Sequence, residues 1–428
     1  MSGSIAPVEA EDNATRDDRT RPVHVRPEPL AENRDFLVLL SAQAVSALGD
    51  AVSFTAVPLL VLALTGSGAA MGVVGALQTL PDLFVGLAAG AIADRSDRKR
   101  MMLLADLGRA VLTALIPISV LLGGPTMAIL LIVVAPMSIL RSFFLAGYTV
   151  SVPALVGRPQ LARANSIFEA VYSVGYIIGP SFAGIASAAI GPGLTLGLDA
   201  LSFLASSIGI AFIRRPLTSP GGARATRLRD DIREGIAFVA HHPVLRSAIA
   251  FWGCTSIVYA PITAAFAYRV TRELDAGDAA LGLVFTAFGI GTVSGALLAG
   301  RLRRLPTGVL LFGGGAVMGV ATVAASLSQL VPVLAVVTFI AGVGESLVLV
   351  TYITLRTAAS PDALLGRIGS TARTISLGLQ PIGLLAGGIL IDRIGAGPTL
   401  TLIGAVVIGI AAAFSFVTPL RTAHVTSR

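Results

Sequence analysis

Residues 90–100 read GAIADRSDRKR. Arg95, Arg98, Lys99 and Arg100 crowd into six consecutive positions, with Asp94 and Asp97 beside them. Apolar sequence flanks this stretch on both sides, over residues 70–93 and 101–123. A helix needs about 20 apolar residues to cross the hydrocarbon core of a bilayer. A short charged break between two such segments reads as a loop at a membrane surface, and its excess of basic residues marks the cytoplasmic side.

The same alternation runs outward in both directions. Six spans are expected near 36–64, 70–93, 101–123, 126–156, 162–190 and 193–213. Six more follow near 244–268, 279–300, 307–328, 331–356, 364–391 and 397–418. Of the 31 basic residues, 25 fall in the two tails and in alternate loops on one side. Arg269, Arg272 and Arg393 fall on the other side, and Arg109, Arg141 and Arg373 within spans. This bias and the even number of spans put both termini in the cytoplasm, with the protein multi-pass in the plasma membrane. The net charge of +7 is then a topology signal and not a nucleic-acid footprint.

The expected organisation is a disordered tail over 1–35, a six-helix bundle over 36–213, a cytoplasmic linker over 214–243, a second bundle over 244–418 and a tail over 419–428. Leu228, Ile232, Ile236 and Val239 recur at helical spacing in the linker, which fits an amphipathic helix lying on the inner membrane surface. His241 and His242 read as linker residues, since no Cys or carboxylate stands at metal-site spacing.

Composition excludes several activities. Only 13% of residues are charged and 54% are hydrophobic, with a mean hydropathy of +0.83, whereas soluble domains carry about 25% charged residues. The single lysine, Lys99, is followed by Arg100, so no Walker-type phosphate loop exists, and any pumping is expected to draw on a gradient or on another subunit. Neither G-x-S-x-G nor H-E-x-x-H occurs, which argues against an enzyme. No metal or cofactor is expected. Cys254 stands alone, so no intrachain disulfide can form.

The halves resemble each other. Span 5 holds ARANSIFEAVYSVGYIIGPSFAG and span 11 holds GRIGSTARTISLGLQPIGLLAGG. Arg163 aligns with Arg367, Pro180 with Pro381 and Gly184 with Gly387. The basic loops after spans 2 and 8 align as well, Arg95 with Arg301. A duplicated six-plus-six bundle implies a site near the midplane, between the halves.

With these features in place, the 90–100 loop resembles the G-x-x-x-D-R-x-G-R-[RK] signature of the major facilitators. Gly90, Asp94, Arg95, Arg98 and Lys99 fit it, while Asp97 stands where the pattern has its second glycine. The copy after span 8 is degenerate: Gly300 occupies the acidic position, and Arg301 and Arg304 remain. The resemblance implies an all-α integral membrane fold of twelve helices in two pseudo-symmetric six-helix bundles. It also implies that Gly90, Asp94, Arg95, Arg98 and Lys99 form a conformational latch, which Asp106 and Arg109 could join. Gly175, Gly179, Pro180 and Gly184 resemble the span 5 motif of exporters in this family. With the stretches LGDAVSFTAVPLLVLALTGS and REGIAFVAHHPVLR, the chain is similar to twelve-span drug:proton antiporters such as macrolide pumps and the enterobactin exporter.

Charges inside a membrane need a reason, at about 2.5–3.5 kcal/mol for an Asp or Arg at a helix centre. Asp50, Asp82, Arg141, Glu169, Asp199, Glu345 and Arg373 all lie within expected spans. The resemblance places spans 1, 4, 7 and 10 around the cavity, so Asp50, Arg141 and Glu345 are expected to face it. Withdrawal from water favours a protonated carboxyl group and a nearby Arg opposes this, so such a pairing can sense conformation. Asp50 and Glu345 are the leading proton-coupling candidates and Arg141 their modulator, although a fixed Asp50–Arg141 ion pair would serve structure alone. Asp82 and Asp199 read as packing or hydrogen-bonding residues. Phe54, Tyr148, Trp252, Tyr259 and Phe266 lie on the same cavity-lining spans. The expected function is export, by a monomer, of small amphipathic molecules (antibiotic, drug or siderophore) in exchange for protons. Proton-coupled uptake is the alternative.

Overall fold

The computed structural model describes residues 29–93, 96–217, 228–361 and 364–421. The tail up to residue 28, Asp94 and Arg95 of the signature loop, residues 218–227 of the linker, residues 362–363 and the final residues from 422 lie outside the described residues.

All regular structure among the described residues is helical. The first half comprises α1 (Arg34–Thr65), α2 (Gly68–Ala93), α3 (Arg98–Leu121), α4 (Thr126–Val156), α5 (Leu161–Ile190) and α6 (Pro192–Ala211). The linker contributes α7 (Leu228–His241). The second half comprises α8 (Pro243–Tyr259), α9 (Ile262–Tyr268), α10 (Gly277–Arg301), α11 (Thr307–Leu327), α12 (Val331–Ala358), α13 (Leu365–Gly378), α14 (Gln380–Ile394), α15 (Ala396–Ser415) and α16 (Thr418–Arg421). Eleven helical segments are long and apolar enough to cross a membrane. The 26-residue α2, whose one ionisable residue is Asp82, is the twelfth member of the arrangement.

Two expected spans are interrupted. Span 7 is α8 plus α9, parted at Ala260 and Pro261, and span 11 is α13 plus α14, parted at Leu379. Pro261 and Pro381 stand at the two breaks, where a proline removes a backbone donor and crowds the carbonyl four residues back.

The packing plan is two-fold. In the first half α1 packs on α5 and α6, α3 on α4 and α6, and α2 on α4. In the second half α8 packs on α14 and α15, α11 on α12 and α15, and α10 on α12. These are the same pairings moved along by six spans. The halves meet through α5 on α10 and α2 on α14, and the six-span shift turns one of these pairs into the other.

The structure also fixes the register of the repeat. Gly191 and Gly395, 204 positions apart, precede α6 and α15 with φ of 85° and 86°. A side chain at either turn would be strained in that left-handed conformation. The same offset pairs Gly184 with Gly388. A Cβ on Gly184 would lie 2.6 Å from Asp278 O on α10, and one on Gly388 would lie 3.0 Å from Ala69 Cα on α2. The sequence alignment of Gly184 with Gly387 is therefore one residue out of register. Gly387 packs instead on Pro261 of its own bundle.

Apolar packing differs between the two ends. Where α1, α3 and α5 finish, one core runs through both bundles, joining Leu60, Leu62 and Ile116 to Phe266, Val284, Ile391 and Leu400. At the end bearing the termini and α7 the bundles keep separate cores. Phe36, Met102 and Phe168 belong to one, and Leu245, Phe251 and Tyr352 to the other. Large apolar side chains such as Ile132 and Leu297 stay exposed on the outer faces, as a lipid-facing surface requires. Between helices small residues set the approach, because lipid tails are as apolar as leucine and supply no hydrophobic drive.

Candidate functional site: a charged cavity between the bundles

A cavity of about 390 Å³ lies between the bundles. Val57, Met71, Val74, Ile116, Leu130 and Val134 form much of its wall. Its acidic and basic lining residues, Asp50, Arg109, Arg141 and Asp199, all come from the first bundle, as does Tyr176. The second bundle contributes neutral groups: Ala260, Thr263, Ala264, Gln380 and Leu384.

Arg109 on α3 organises the charges. Its Nη2 lies 2.6 Å from Asp50 Oδ1 on α1, its Nη1 lies 3.5 Å from Asp106 Oδ1 one turn earlier, and its guanidinium sits 3.7 Å above the Phe203 ring on α6. The Asp106 and Arg109 side chains are almost fully buried, and Asp50 is 38% exposed toward the cavity. Asp199 on α6 is fully buried. It accepts hydrogen bonds from Ser53 Oγ on α1 and, at 3.1 Å, from Ser202 Oγ.

These positions redistribute the roles read from sequence. Asp50 and Arg141 line the cavity, and the ion pair of Asp50 is with Arg109. Glu345 sits half-buried on α12, near Tyr259 and outside the cavity lining. Of the five aromatic residues, Phe54 lines the cavity. Tyr148 packs with Phe144 and Phe168, Trp252 stacks on Tyr352, and Tyr259 and Phe266 are core residues. Phe54 also reaches across to Phe285 on α10, at 5.5 Å between ring centres, and to Tyr176 on α5, at 6.4 Å.

The latch residues separate into two groups. Arg98 donates to Leu217 O at 3.1 Å, and Lys99 Nζ donates to Ala211 O and Ile213 O at 2.8 and 2.7 Å. Both thus bind carbonyls at and beyond the C-terminus of α6, where cations are favoured. Asp97 caps α3 by accepting from Arg100 N at 3.2 Å, which gives the residue in the glycine position a use of its own. Gly90 lies in the last turn of α2, and Asp94 and Arg95 lie outside the described residues. Asp106 and Arg109 face the bundle interior.

The span 5 motif straddles two interfaces. A Cβ on Gly175 would meet Ala47 C and O of α1 at 3.3 Å, and one on Gly179 would overlap Ala51. Gly184 packs on α10 of the other bundle. Pro180 cannot donate to Tyr176 O in the preceding turn, and that carbonyl faces Gly289 on α10. Pro261 leaves Ile257 O without its helical donor in the same way, and Gly383 on α14 packs against it.

Sequence reasoning missed the polar links that join the bundles at the end with the shared core. The Asp392 carboxylate accepts from Ser67 Oγ at 2.6 Å and from Ala69 N at 3.0 Å, and also bonds Gly68 N, so a residue of α14 caps α2. Arg272 Nη2 donates to Leu62 O of α1 at 2.9 Å. Thr286 Oγ1 donates to Ile177 O at 2.9 Å and lies 2.7 Å from Ser181 Oγ. The signal available in the sequence was scarcity: few charged residues occur at that end, and Arg269, Arg272, Glu273 and Asp392 among them make polar contacts.

Two matched six-helix bundles around a cavity with buried charges define a multi-pass membrane transporter. The family model for the Major Facilitator Superfamily matches residues 39–379, and the chain belongs to that superfamily. It is 29% identical over 375 residues to the multidrug efflux pump Tap of Mycolicibacterium fortuitum, covering 85% of this chain and 91% of that one. It is 25% identical over 398 residues to macrolide efflux protein A of Streptococcus pyogenes, covering 90% and 96% respectively. Among solved structures the nucleoside transporter NupG has the same fold, with a TM-score of 0.74 at 11% identity, over 90% of this chain and 99% of that one. A bacterial homologue of the human lysosomal transporter Spinster, solved inward-facing and unoccupied, superposes with a TM-score of 0.69 at 17% identity, over 91% and 96%.

Proposed function

We propose that this protein exports small amphipathic molecules, of the antibiotic, drug or siderophore kind, across the cell membrane by alternating access, in exchange for protons. One observation carries the reading: an apolar cavity with all its ionisable groups on one wall and a neutral wall opposite. Such a site suits cargo with an apolar body and one polar or charged end, since apolar walls bind without fixing orientation and a few polar groups set it. The names of the relatives, a multidrug pump and a macrolide pump, point to the same class of cargo and to the outward direction.

The arrangement of the Arg residues puts the end with the termini and α7 in the cytoplasm. On this reading the shared core and the Asp392 and Arg272 links close the external side of a monomer that is open toward the cytoplasm. Export requires those links to break and the separate cytoplasmic cores to meet, at the end where Arg98 and Lys99 hold the chain beyond α6. Asp50 is the cavity-facing candidate among the coupling carboxylates, Arg109 holds it, and Arg141 is a second cation of the cavity lining. Glu345 remains a candidate carrier in the second bundle.

The test is transport in inside-out vesicles with ethidium and a radiolabelled macrolide. Uptake into the vesicles that requires the protein and an inwardly acid proton gradient is the expected result. Cells expressing the protein that accumulate more of both probes would overturn the export reading. Transport indifferent to uncouplers would overturn proton exchange.

A further inference from the structure

We propose that the transported proton is held by Asp199, in a buried site between α1 and α6 that Asp50, Asp106 and Arg109 complete. The inference rests on the proton-exchange reading above and assigns the carrier within it.

Charge balance is the first argument. Three carboxylates, Asp50, Asp106 and Asp199, gather around one guanidinium in the first bundle. Arg109 is committed to Asp50 at 2.6 Å and is shared with Asp106 at 3.5 Å. Ionised together, the three acids would leave excess negative charge out of water, which such a site relieves by binding protons.

Position separates the three acids. Asp50 is 38% exposed and ion-paired, so its charge is already matched by Arg109 and reached by solvent. Asp106 is fully buried beside the Ser206 hydroxyl and the Arg109 guanidinium, and it is not part of the cavity lining. Asp199 is fully buried but forms part of the cavity lining, which gives a proton a route to and from it. The groups that face it are Asp50 and Ser53 on α1, Arg109 on α3, and Ser202 on its own helix. Its polar contacts are thus hydroxyls, which can donate to a carboxylate or accept from the carboxylic acid. A group that must exist in both forms needs such partners.

The site is also placed where α1 must hold its distance. A Cβ on Gly49 would overlap Ser202 Oγ and collide with Asp199 Oδ1 at 2.5 Å, so the α1 backbone lies directly on the carboxyl group. Gain or loss of the proton therefore changes the hydrogen bond to Ser53 on the helix that presents Asp50 and Phe54 to the cavity. On release, the proton passes from the Asp199 carboxyl to cavity water. The carboxylate left behind faces Arg109 as its nearest cation.

The experiment measures proton release by purified protein in weak buffer with a pH-indicating dye, on addition of ethidium, a fixed cation that does not itself titrate. Energy-independent ethidium exchange across proteoliposomes is measured in parallel. Wild type should release protons. Asp199→Asn should lose that release. Release that persists in Asp199→Asn overturns the assignment and leaves proton exchange standing. Wild type that exchanges ethidium but releases no proton overturns proton exchange and the assignment with it. A second measurement needs neither variant nor cargo. A hydrophobic carbodiimide, which reacts with protonated carboxyl groups in apolar surroundings, should form its adduct on Asp199 of the wild type, located by mass spectrometry. Adducts on Asp50 or Glu345 with none on Asp199 overturn the proposal.

Discussion

Arg109 on α3 donates to Asp50 on α1 across 2.6 Å, so the one ion pair described within the cavity bridges two helices of the same bundle. The pair leans on Asp106 and on the Phe203 ring, both buried. Replacing Arg109 by Met keeps the bulk and removes the cation beside Asp106. Breaking a buried pair by deleting one partner costs about 3–5 kcal/mol. Arg109→Met should therefore lower the thermal unfolding midpoint in detergent and abolish transport. Adding Asp106→Asn should recover much of the unfolding midpoint, because the stranded charge is removed. Recovery of folding without recovery of transport would separate the structural role of Arg109 from its role in the cavity.

Asp392 caps α2 from the opposite bundle, so separating the bundles at that end would break the cap. An N-cap carboxylate contributes about 0.5–2 kcal/mol. Asp392→Ala should thus shift the population toward the outward-open form by about fivefold for each kcal/mol lost. Spin labels at Leu122 and Leu327, both exposed at that end, in a Cys254→Ser background, should report a longer distance in the variant.

Much of this fold is written in the sequence as hydropathy, basic loops and duplication. These follow from local composition, and the bilayer dictates them residue by residue. The partner of Asp50 was not legible. The sequence paired Asp50 with Arg141 and set Arg109 beside the latch, and only the rotation of α3 against α1 brings Arg109 to Asp50. Asp199 read as a packing or hydrogen-bonding residue, and its partner Ser53 was not legible because that contact depends on how α1 and α6 cross. The breaks in spans 7 and 11 carried a local sign in Pro261 and Pro381, but α4 and α5 contain prolines and continue through them. Whether a proline parts a helix depends on what its neighbours offer the freed carbonyl.

Phe54 and Tyr176 are the aromatic residues of the cavity lining, and Phe54 also touches Phe285 of the other bundle. An aromatic contact adds about 0.5–1.5 kcal/mol beyond area burial. Phe54→Ala should therefore weaken binding of planar aromatic cargo such as ethidium by a few-fold to about tenfold, and weaken an aliphatic macrolide less. Equilibrium dialysis with both probes measures the difference. Trp252→Phe, in a position stacked on Tyr352 inside the second bundle, should alter neither affinity.

The carbonyl of Tyr176, deprived of its helical donor by Pro180, meets Gly289 on α10, and a Cβ there would lie 2.9 Å from it. That spacing is too short for an ordinary carbon contact, and backbone cannot swing aside as a side-chain tip can. Gly289→Ala should hence push α5 and α10 apart where the bundles meet and destabilise the closed external side. Overpacking of this kind costs about 1–3 kcal/mol, enough to shift the conformational balance by about fivefold or more. Gly313 on α11 is the matched control, since a Cβ there meets nothing within 4 Å. Gly289→Ala should lengthen the Leu122–Leu327 label distance and slow vesicle transport, whereas Gly313→Ala should leave both unchanged. Equal effects of the two substitutions would mean that helix propensity, and not the contact with the Tyr176 carbonyl, governs the closed state.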